Sequence, residues 1–498
     1  MDEKQKLAAQ IVVVSLVLGV LGDTLLRGTP WGVNFALWVL MLAAFIAALG
    51  WRSRAFAGGG YALLAPVLLF AGAFPWRDSL SLNLLSVLAL LVTFAVLMLR
   101  AQGGAVVKAF HLDYVLGGFV AILNAGFGGF RLLIGDFPWR RVSGGTITAR
   151  SLSVACGVFL SLPVLLVFGA LLVAADAIFE SIVSKLLAFD FASLVTHAFL
   201  IGFFAWLAAG YLRGVMLGTE CDLSSRVRQQ WFSLGIVEVG IPLGLLNLLF
   251  LSFVAIQFRY FFGGATSVML TPGLTYSEYA RRGFFELVTV SALVLPLLLF
   301  AHWVLVKDNP RAERIFRWLA GLQLVLLAAI MASAYQRMRL YQQEYGLTEQ
   351  RLYPTAFMAW LGVVFVWFAL TALRGQRERF AFGAMVAGFL LVAALHIANP
   401  DALIVRVNSA RIAEGKKFDA WYATRLSADA VPELLAALPR IPEPDRCIIA
   451  GRLLSAWSET EVDDWRTWNY SRWKAEKAVR KNEQTLRPMA CQLTARHD

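Results

Sequence analysis

The chain has 498 residues, of which 59% are hydrophobic and 16% are charged, and its formal net charge is +12. A soluble domain normally carries about a quarter charged residues, so this composition excludes an ordinary water-soluble protein. The basic excess does not indicate a nucleic-acid partner. The Lys and Arg residues lie mostly in short loops between apolar blocks, where they fix membrane topology and meet anionic headgroups.

Long apolar blocks fill the chain from its N-terminus to residue 397. About 20 apolar residues in a helix cross the hydrocarbon core of a bilayer, so each block predicts a transmembrane helix. The first block is too long for the apolar region of a signal peptide and no small-residue cleavage site follows it, which indicates a retained span. We place about eleven spans, at residues 8–26, 32–50, 58–74, 79–99, 151–175, 192–212, 232–256, 284–306, 315–335, 353–373 and 379–397.

The predicted fold is therefore an all-α polytopic transmembrane bundle with a small soluble helical domain at its C-terminus, residues 398–498. Residues 1–99 hold the first four spans, and residues 151–397 hold the other seven. Between them, the glycine-rich segment 100–150 contains an apolar stretch, residues 115–134, that would make a twelfth span. Glycine is a poor helix filler outside tight packing, so the sequence favours an interfacial or re-entrant segment there.

The basic residues also predict the orientation of the bundle. For eleven spans, the set of loops that includes the N-terminus holds twice as many Lys and Arg residues as the opposite set. The N-terminus is therefore predicted to be cytoplasmic and the C-terminal domain extracytoplasmic. Two long loops, 257–283 and 336–352, are predicted on the same outer side as that domain.

The C-terminal domain has nearly balanced charges and several helix signals, which favour a small packed domain. Asn399-Pro400-Asp401 is a start signal for a first helix, and Ser427-Ala428-Asp429 opens a second. Cys447 and Cys491 both lie in this domain. An extracytoplasmic compartment would permit them to form a disulfide, and the alternative is two unrelated thiols.

Short catalytic motifs are absent from the sequence: there is no phosphate-binding loop, no HExxH, no GxSxG and no CxxC. The five histidines never fall at metal-ligand spacing, so no metal site and no cofactor are predicted. Glu238 is the most informative polar residue inside a span, because it precedes a Gly-x-Pro-x-Gly stretch. This pattern is typical of a locally unwound transporter helix, and also of a carboxyl group beside an ordinary proline kink.

Polar and aromatic residues concentrate in the two outer loops. On a helix Glu278, Arg282 and Glu286 would share one face and lead into the eighth span. Such a surface could bind a lipid headgroup, a glycan or an envelope protein, or it could be the aromatic belt of any membrane interface. The candidate binding residues are Tyr276, Glu278, Tyr279, Arg281, Arg282, Glu286, Tyr345, Glu349 and Arg351.

Three motifs in the second half of the chain resemble a known family. They are YARRGFFEL at 279–287, EYGLTEQRLY at 344–353 and NPDALIVRVNSAR at 399–411. In this order they are similar to a bacterial multi-pass membrane family catalogued as a domain of unknown function, the 4153/4173 group. The resemblance covers roughly residues 150–480. It implies a multi-pass protein of the bacterial cell membrane and transfers no activity and no catalytic residue.

Three functional hypotheses follow from the sequence. The first is a non-enzymatic envelope receptor, sensor or assembly component that works through its outer loops and C-terminal domain. The second is a secondary transporter that uses Glu238. The third is a membrane enzyme acting on lipid-linked substrates, with an outer carboxylate such as Asp23 or Glu286 as acid or base. The lipid bilayer is the one partner that all three share.

Overall fold

A computed structural model describes nine continuous stretches of the chain and a few scattered positions between residues 157 and 176. The continuous stretches and two-residue pieces are 2–53, 59–104, 106–107, 111–138, 191–218, 233–262, 284–306, 310–458 and 464–491, together with residue 56. Within these residues the secondary structure is helical, and the only β-type pairing is an isolated bridge between Leu234 and Leu305.

The helices of the membrane region are α1 (Glu3–Leu26), α2 (Val33–Ser53), α3 (Leu64–Ala73), α4 (Leu80–Ala101), α5 (His111–Arg131), α6 (Phe191–Leu217), α7 (Ile236–Phe262), α8 (Phe284–Val304), α9 (Pro310–Tyr345), α10 (Glu349–Thr371) and α11 (Phe380–Ala398). The helices of the C-terminal domain are α12 (Pro400–Ala410), α13 (Ala420–Ala423), α14 (Val431–Ala437), α15 (Glu443–Trp457), α16 (Tyr470–Lys481) and α17 (Glu483–Leu486). Short 3-10 turns extend several of these helices.

Ten helices in the described part of the chain are long and apolar enough to cross a membrane, which confirms the predicted all-α polytopic fold. Nine of them overlap predicted spans, and the tenth is Leu112–Asp136. The predicted span 58–74 is instead the shorter apolar helix Gly60–Ala73. At about 1.5 Å per residue it falls well short of the roughly 30 Å hydrocarbon core. Most of the predicted span 151–175 lies outside the described residues.

The described chain forms two compact units. The first contains α1, α2, the end of α4, most of α5, and α6. Its central contact is an antiparallel packing of α1 on α6 through small residues. A Cβ atom added at Gly19 would lie only 2.5 Å from the carbonyl oxygen of Ile201 and 2.8 Å from Cβ of Ala205. Glycine is therefore required for the two backbones to approach this closely.

The glycine-rich helix α5 contacts the end of α4 near its own start, and the residues that follow it contact α1 and α6. Near its start, a Cβ atom at Gly117 would lie 3.2 Å from the side chain of Leu99, at the end of α4. At its far end, Asp136 pairs with Arg213 Nε at 2.9 Å and with Lys4 Nζ at 3.4 Å. Lys4 lies at the start of α1 and Arg213 near the end of α6, and these two helices are antiparallel.

The segment Leu112–Asp136 has the length and composition of a membrane span, and the interfacial or re-entrant placement stays a prediction. Its glycines serve close packing. A Cβ atom at Gly128 would lie 2.7 Å from the carbonyl oxygen of Gly210, and Trp206 Nε1 donates a hydrogen bond to the Gly126 carbonyl at 2.8 Å. The helix stays continuous because these glycines bring it against α6.

The second unit contains the start of α4, the helices α7 to α11 and the C-terminal domain. Helix α9 packs against α7, α8 and α10, and α10 packs against α11. The most deeply buried side chains of this bundle are those of Leu298, Phe316, Ala320, Leu327 and Phe368, none of which is exposed. Burial of these residues between helices leaves many other apolar side chains on the outer surface of the helices, as lipid contact requires.

The predicted long loop 336–352 is wrong. Residues 336–345 continue the 36-residue helix α9, and α10 already begins at Glu349. The connection is therefore only residues 346–348, and Gly346 ends α9 with a positive φ of 79°. Of the other predicted loop, 257–283, the first six residues continue α7, and residues 263–283 lie outside the described part of the chain.

The C-terminal domain has a core of its own. Val405, Ile441, Ile449, Ala450 and Val479 are completely buried there, although they come from three helices and a turn. The predicted helix starts are both present. Asn399 caps α12 by accepting a hydrogen bond from Ala402 N at 3.3 Å, and Ser427 caps the turn that leads into α14.

Candidate functional site

The C-terminal domain is joined to the ends of the membrane helices around one buried carboxylate. Asp429 is 5% exposed and accepts hydrogen bonds from Arg77 Nη1 at 3.1 Å and Ser471 Oγ at 2.6 Å. It also accepts from the backbone N–H groups of Asp78 at 2.7 Å and Ser79 at 3.1 Å. Asp429 and Ser471 belong to the domain, whereas residues 77–79 lead into α4. We call this set of contacts the junction.

The same short link is held from a second side by the start of α16. Asn469 Nδ2 donates to the carbonyl oxygens of Phe74 at 2.7 Å and Arg77 at 2.9 Å. The backbone N–H of Tyr470 donates to the Pro75 carbonyl at 2.7 Å. Residues 74–79 have no helical hydrogen bonds for these groups, so the domain supplies the partners that their buried backbone needs.

The end of α11 completes the junction. Arg77 Nε donates to the His396 carbonyl at 2.9 Å, and the His396 ring nitrogen Nε2 forms a hydrogen bond with Ser86 Oγ at 2.8 Å. Asn399, in the left-handed conformation with φ of 52°, donates from Nδ2 to the Asp429 carbonyl at 3.3 Å. The last membrane helix, the start of α4 and the domain therefore meet at one place.

A second contact joins the domain to the turn between α9 and α10. Asn408 accepts from Leu347 N at 2.7 Å and donates to the Leu347 carbonyl at 2.8 Å, which pairs one amide side chain with one backbone residue. The backbone N–H of Glu349 donates to the Tyr422 hydroxyl at 2.8 Å. Gly346 is needed beside this pair, because a Cβ atom there would lie 2.6 Å from Asn408 Oδ1.

The carboxyl groups of Asp401 and Glu349 lie near these contacts, and the pKa of Asp401 is strongly shifted. Asp401 is 2% exposed, and its Oδ2 accepts from the Ser427 hydroxyl and from the Ser427 N–H at 3.2 Å. Burial first, and then the carboxylates of Glu349 and Asp429, raise the pKa of Asp401 to about 6 against the lowering effect of the Ser427 hydrogen bonds. This group therefore changes its charge close to neutral pH.

The structure brings three predicted binding residues together, with mostly structural roles. Arg351 stacks over the Tyr341 ring at 4.1 Å and donates to the Gly346 carbonyl at 2.6 Å, so its guanidinium stabilises the α9–α10 turn. Tyr345 is half exposed at the end of α9. Glu349 accepts a hydrogen bond from Ser81 Oγ at 2.8 Å, and it is therefore the predicted binding residue that lies beside the junction.

The other predicted binding residues are elsewhere. Glu286 lies exposed in the first turn of α8. Tyr276, Glu278, Tyr279, Arg281 and Arg282 lie outside the described residues.

Glu238 does not mark an unwound helix. It is exposed in the first turn of α7, and that helix runs without a break through Pro242 to Phe262. Proline removes one backbone hydrogen bond, which a packed membrane helix tolerates. A carboxylate in the first turn is also where the helix dipole favours negative charge. The observation that motivated a transporter site is therefore not found in the structure.

The two cysteines of the C-terminal domain are neighbours. Cys447, in α15, and Cys491 form a disulfide with their Cα atoms 5.1 Å apart, within the usual range for such a bond.

In the first unit, the buried Asp23 accepts a hydrogen bond from His197 Nδ1 at 2.5 Å, and Arg27 contacts the same ring. That hydrogen bond links the end of α1 to α6.

Sequence reasoning missed the centre of the junction. It identified Asn399-Pro400-Asp401 and Ser427-Ala428-Asp429 as helix starts, which placed both aspartates correctly in their local structure. It did not identify Arg77 or Asn469 as their partners. The charged pair Arg77-Asp78 directly before a span was the available signal, since a buried partner is one way to hold charges at that depth.

The fold and the junction define a polytopic integral membrane protein with a helical C-terminal domain fixed to the ends of its membrane helices. A family model described as Domain of unknown function (DUF4153) matches residues 64–437, well over half of the chain, and the chain belongs to that family. This confirms the resemblance seen in the motifs. The match starts before residue 150 and ends before residue 480, the approximate limits of that resemblance. No curated protein and no solved structure matches the chain.

The matched region contains most of the residues at the contact between the C-terminal domain and the membrane helices. Arg77, Glu349, Asp401 and Asp429 all lie within residues 64–437, whereas Asn469 and Ser471 lie beyond the end of the match. The carboxylate centre of the junction is therefore part of the family's own domain.

We expect Asp429→Ala to lower the free energy of unfolding by about 3–5 kcal/mol, because it leaves the buried Arg77 guanidinium and two backbone N–H groups without their acceptor. Thermal unfolding of the purified protein in detergent measures this change. Glu433→Ala is the matched control. Its exposed pair with Arg406 should contribute less than about 1 kcal/mol. Equal effects of the two substitutions would contradict a special role for Asp429.

We expect Asp401→Asn to stabilise the protein at pH 7.5 and to leave its stability unchanged at pH 4, in buffer without divalent cations. A raised carboxyl pKa adds stability below the ordinary pKa of 3.8, and this stability is lost as the pH rises through about 6. Asparagine removes that loss, worth up to about 3 kcal/mol at about 1.4 kcal/mol per pKa unit. Melting temperatures across this pH range measure the effect.

The control substitution should change the stability of the protein in the opposite direction. Arg406 lowers the pKa of Glu433, so Glu433→Gln should destabilise the protein at pH 7.5, and this effect should shrink as the pH falls below 4.5. A destabilising effect of Asp401→Asn at pH 7.5 would show that the ionised carboxylate is favourable at its site.

Proposed function

We propose that this protein is a receptor, sensor or assembly component of the bacterial inner membrane, and that its C-terminal domain is the working surface on the extracytoplasmic side. The junction carries this proposal. A domain tethered by a flexible linker would take many orientations, whereas this domain is attached through Asp429 and Asn469 to the link before α4 and through Asn408 to the turn between α9 and α10. A fixed orientation lowers the cost of ordering when a partner binds.

The charges of the second unit support the proposed orientation. The end of its bundle opposite the domain is basic, with Arg311, Arg314, Arg317, Arg374, Arg377 and Arg379 around the start of α9 and the turn between α10 and α11. Basic residues at membrane ends favour the cytoplasm, so the domain lies on the other side. The pairing of Cys447 with Cys491 supports the same assignment, because disulfides persist in oxidising compartments.

Exposed aromatic side chains of the domain support a binding role. Trp465 is 64% exposed, and Trp468, Tyr470 and Trp473 are each at least 40% exposed. Exposed tryptophan and tyrosine are typical of binding interfaces and of the membrane surface. The backbone N–H of Tyr470 is bonded to the Pro75 carbonyl, shortly before the membrane helix α4, which puts this residue close to the end of a membrane helix. Partner proteins, glycans and lipid headgroups of the envelope are within its reach.

The proposed orientation predicts the labelling of the two tail cysteines in a Cys156→Ala, Cys221→Ala background. A membrane-impermeant thiol reagent should label spheroplasts only after reduction, because both thiols are outside and joined to each other. Arg374→Cys, with Cys447 and Cys491 replaced by serine, is the control for the opposite end and should label only after the membrane is permeabilised. Labelling of the tail thiols that requires permeabilisation would place the domain in the cytoplasm.

The proposed function predicts that the domain and its aromatic group are needed for activity in the cell. In a deletion strain with an envelope phenotype, the chain ending at residue 398 should fail to complement. The Trp465→Ala, Trp468→Ala, Trp473→Ala variant should also fail while it accumulates in the membrane at the normal level. Trp318→Ala is the control, since this tryptophan is 74% exposed on a membrane helix far from the domain's aromatic group. Full complementation by the shortened chain would refute the proposal.

A further inference from the structure

Beside the junction, oxygen-bearing side chains converge from the two sides of the contact between domain and membrane helices. The group, called here the oxygen cluster, consists of Ser79, Ser81, Glu349, Tyr353 and Asp401. Ser81 Oγ donates to Glu349 Oε1 at 2.8 Å. The Tyr353 hydroxyl lies beside the Ser79 and Ser81 hydroxyls and is close to the carboxylates of Asp401 and Glu349. Four of the five residues come from the membrane region, and Asp401 comes from α12.

One oxygen atom of the cluster, Asp401 Oδ1, is buried without a hydrogen-bond partner, whereas the Tyr353 hydroxyl is bonded to the Ser79 and Ser81 hydroxyls. Ser79 is 1% exposed and Asp401 is 2% exposed. A buried polar atom without a partner costs about 1–3 kcal/mol, and native proteins rarely leave one in that state. Asp401 cannot turn to relieve this, because Ser427 holds its other oxygen. The cluster therefore has the arrangement of a site that takes a ligand.

The charge of the cluster points to a cation. Within the described chain, neither Asp401 nor Glu349 forms an ion pair with Lys, Arg or His. The nearby guanidinium groups have other partners: Arg77 binds Asp429, Arg472 binds Asp78, and Arg351 lies over the Tyr341 ring. The buried carboxylate of Asp401 and the partly buried carboxylate of Glu349 are thus neighbours, and neither has an ion pair within the described chain.

We propose that the oxygen cluster binds one divalent cation of the calcium class. The available donors are two carboxylates and three hydroxyls, all of them hard oxygen ligands, which suit Ca²⁺ and Mg²⁺ and not the metals that prefer nitrogen or sulfur. Ca²⁺ accepts irregular geometry and 6–8 oxygen ligands including water, whereas Mg²⁺ demands a near-ideal octahedron. A search for histidine and cysteine spacing in the sequence does not detect such a site.

A bound cation would join Asp401 of the domain to Glu349 of α10 and so strengthen the attachment of the domain. With only two carboxylates, the affinity belongs to the range of extracellular calcium modules, about 10⁻⁴–10⁻³ M. This inference is independent of the proposed function, because the site would bind its ion whichever partner the domain recognises.

Calcium titration of the full-length protein in detergent tests the proposal. After treatment with a chelator at pH 7.5, added CaCl₂ should raise the melting temperature of the wild-type protein by a few degrees and then saturate. Equilibrium dialysis should find one Ca²⁺ per chain. Asp401→Asn and Glu349→Gln should abolish both effects, and Tyr353→Phe should weaken the affinity. Glu433→Gln, which removes an exposed carboxylate of the same domain, should respond like the wild type.

Two results would overturn the proposal. An equal rise in melting temperature for the wild type and for Asp401→Asn would show calcium acting elsewhere on the protein. The absence of any calcium effect at pH 7.5, together with stabilisation of the wild type by acid alone, would show that the two carboxyl groups share a proton and hold no metal. Asp401→Asn itself is expected to fold, because it removes a buried charge.

Discussion

The Asp429 carboxylate is the contact on which the arrangement of the second unit depends. It is buried, and it receives hydrogen bonds from a guanidinium, two backbone N–H groups and a hydroxyl. Its donors come from the link before α4 and from the start of α16, which are nearly four hundred residues apart in the chain. A carboxylate can be buried only with such partners, and removal of one side of the contact leaves the other side unsatisfied. Domain and membrane helices are therefore stable as one structure.

The link before α4 shows why the domain is needed at this place. Residues 74–79 are not part of a helix, and an unpaired backbone is costly near the hydrocarbon region. Asn469 and Tyr470 bind its carbonyl groups, while Asp429 binds its N–H groups. The domain thus completes the hydrogen bonds of the membrane region, in the way that neighbouring helices do in other membrane proteins. It is an integral part of the fold and also a candidate binding surface.

The oxygen cluster lies at the edge of the same contact and differs from the junction in its charge. At Asp429 the negative charge is balanced by Arg77, whereas Asp401 and Glu349 are neighbours that form no ion pair within the described chain. The first arrangement suits permanent attachment. The second responds to protons or to a cation, since either would neutralise the repulsion. One interface therefore contains a permanent contact and a titratable one, and the latter gives the domain a means to respond to its surroundings.

Much of the fold follows from local sequence signals. Apolar length predicts the spans, because a lipid-embedded backbone must satisfy its own hydrogen bonds within each helix. Asn399 and Ser427 predict helix starts through their side-chain caps. The loop 336–352 was predicted wrongly because its polar residues resemble a connection, although Tyr341 and Tyr345 continue α9 and support Arg351. Polarity in sequence does not distinguish a helix that extends beyond the bilayer from a loop.

The sequence by itself determined that this protein is a multi-pass membrane protein with a helical C-terminal domain, since composition, apolar length and capping act over short stretches of chain. Only the tertiary structure decided which polar residues meet. Arg77, Glu349, Asp401 and Asp429 are distant from one another along the chain, and each has an unremarkable local context. The free energy of burying a charge depends on the partners that folding brings to it, and no local pattern contains that information.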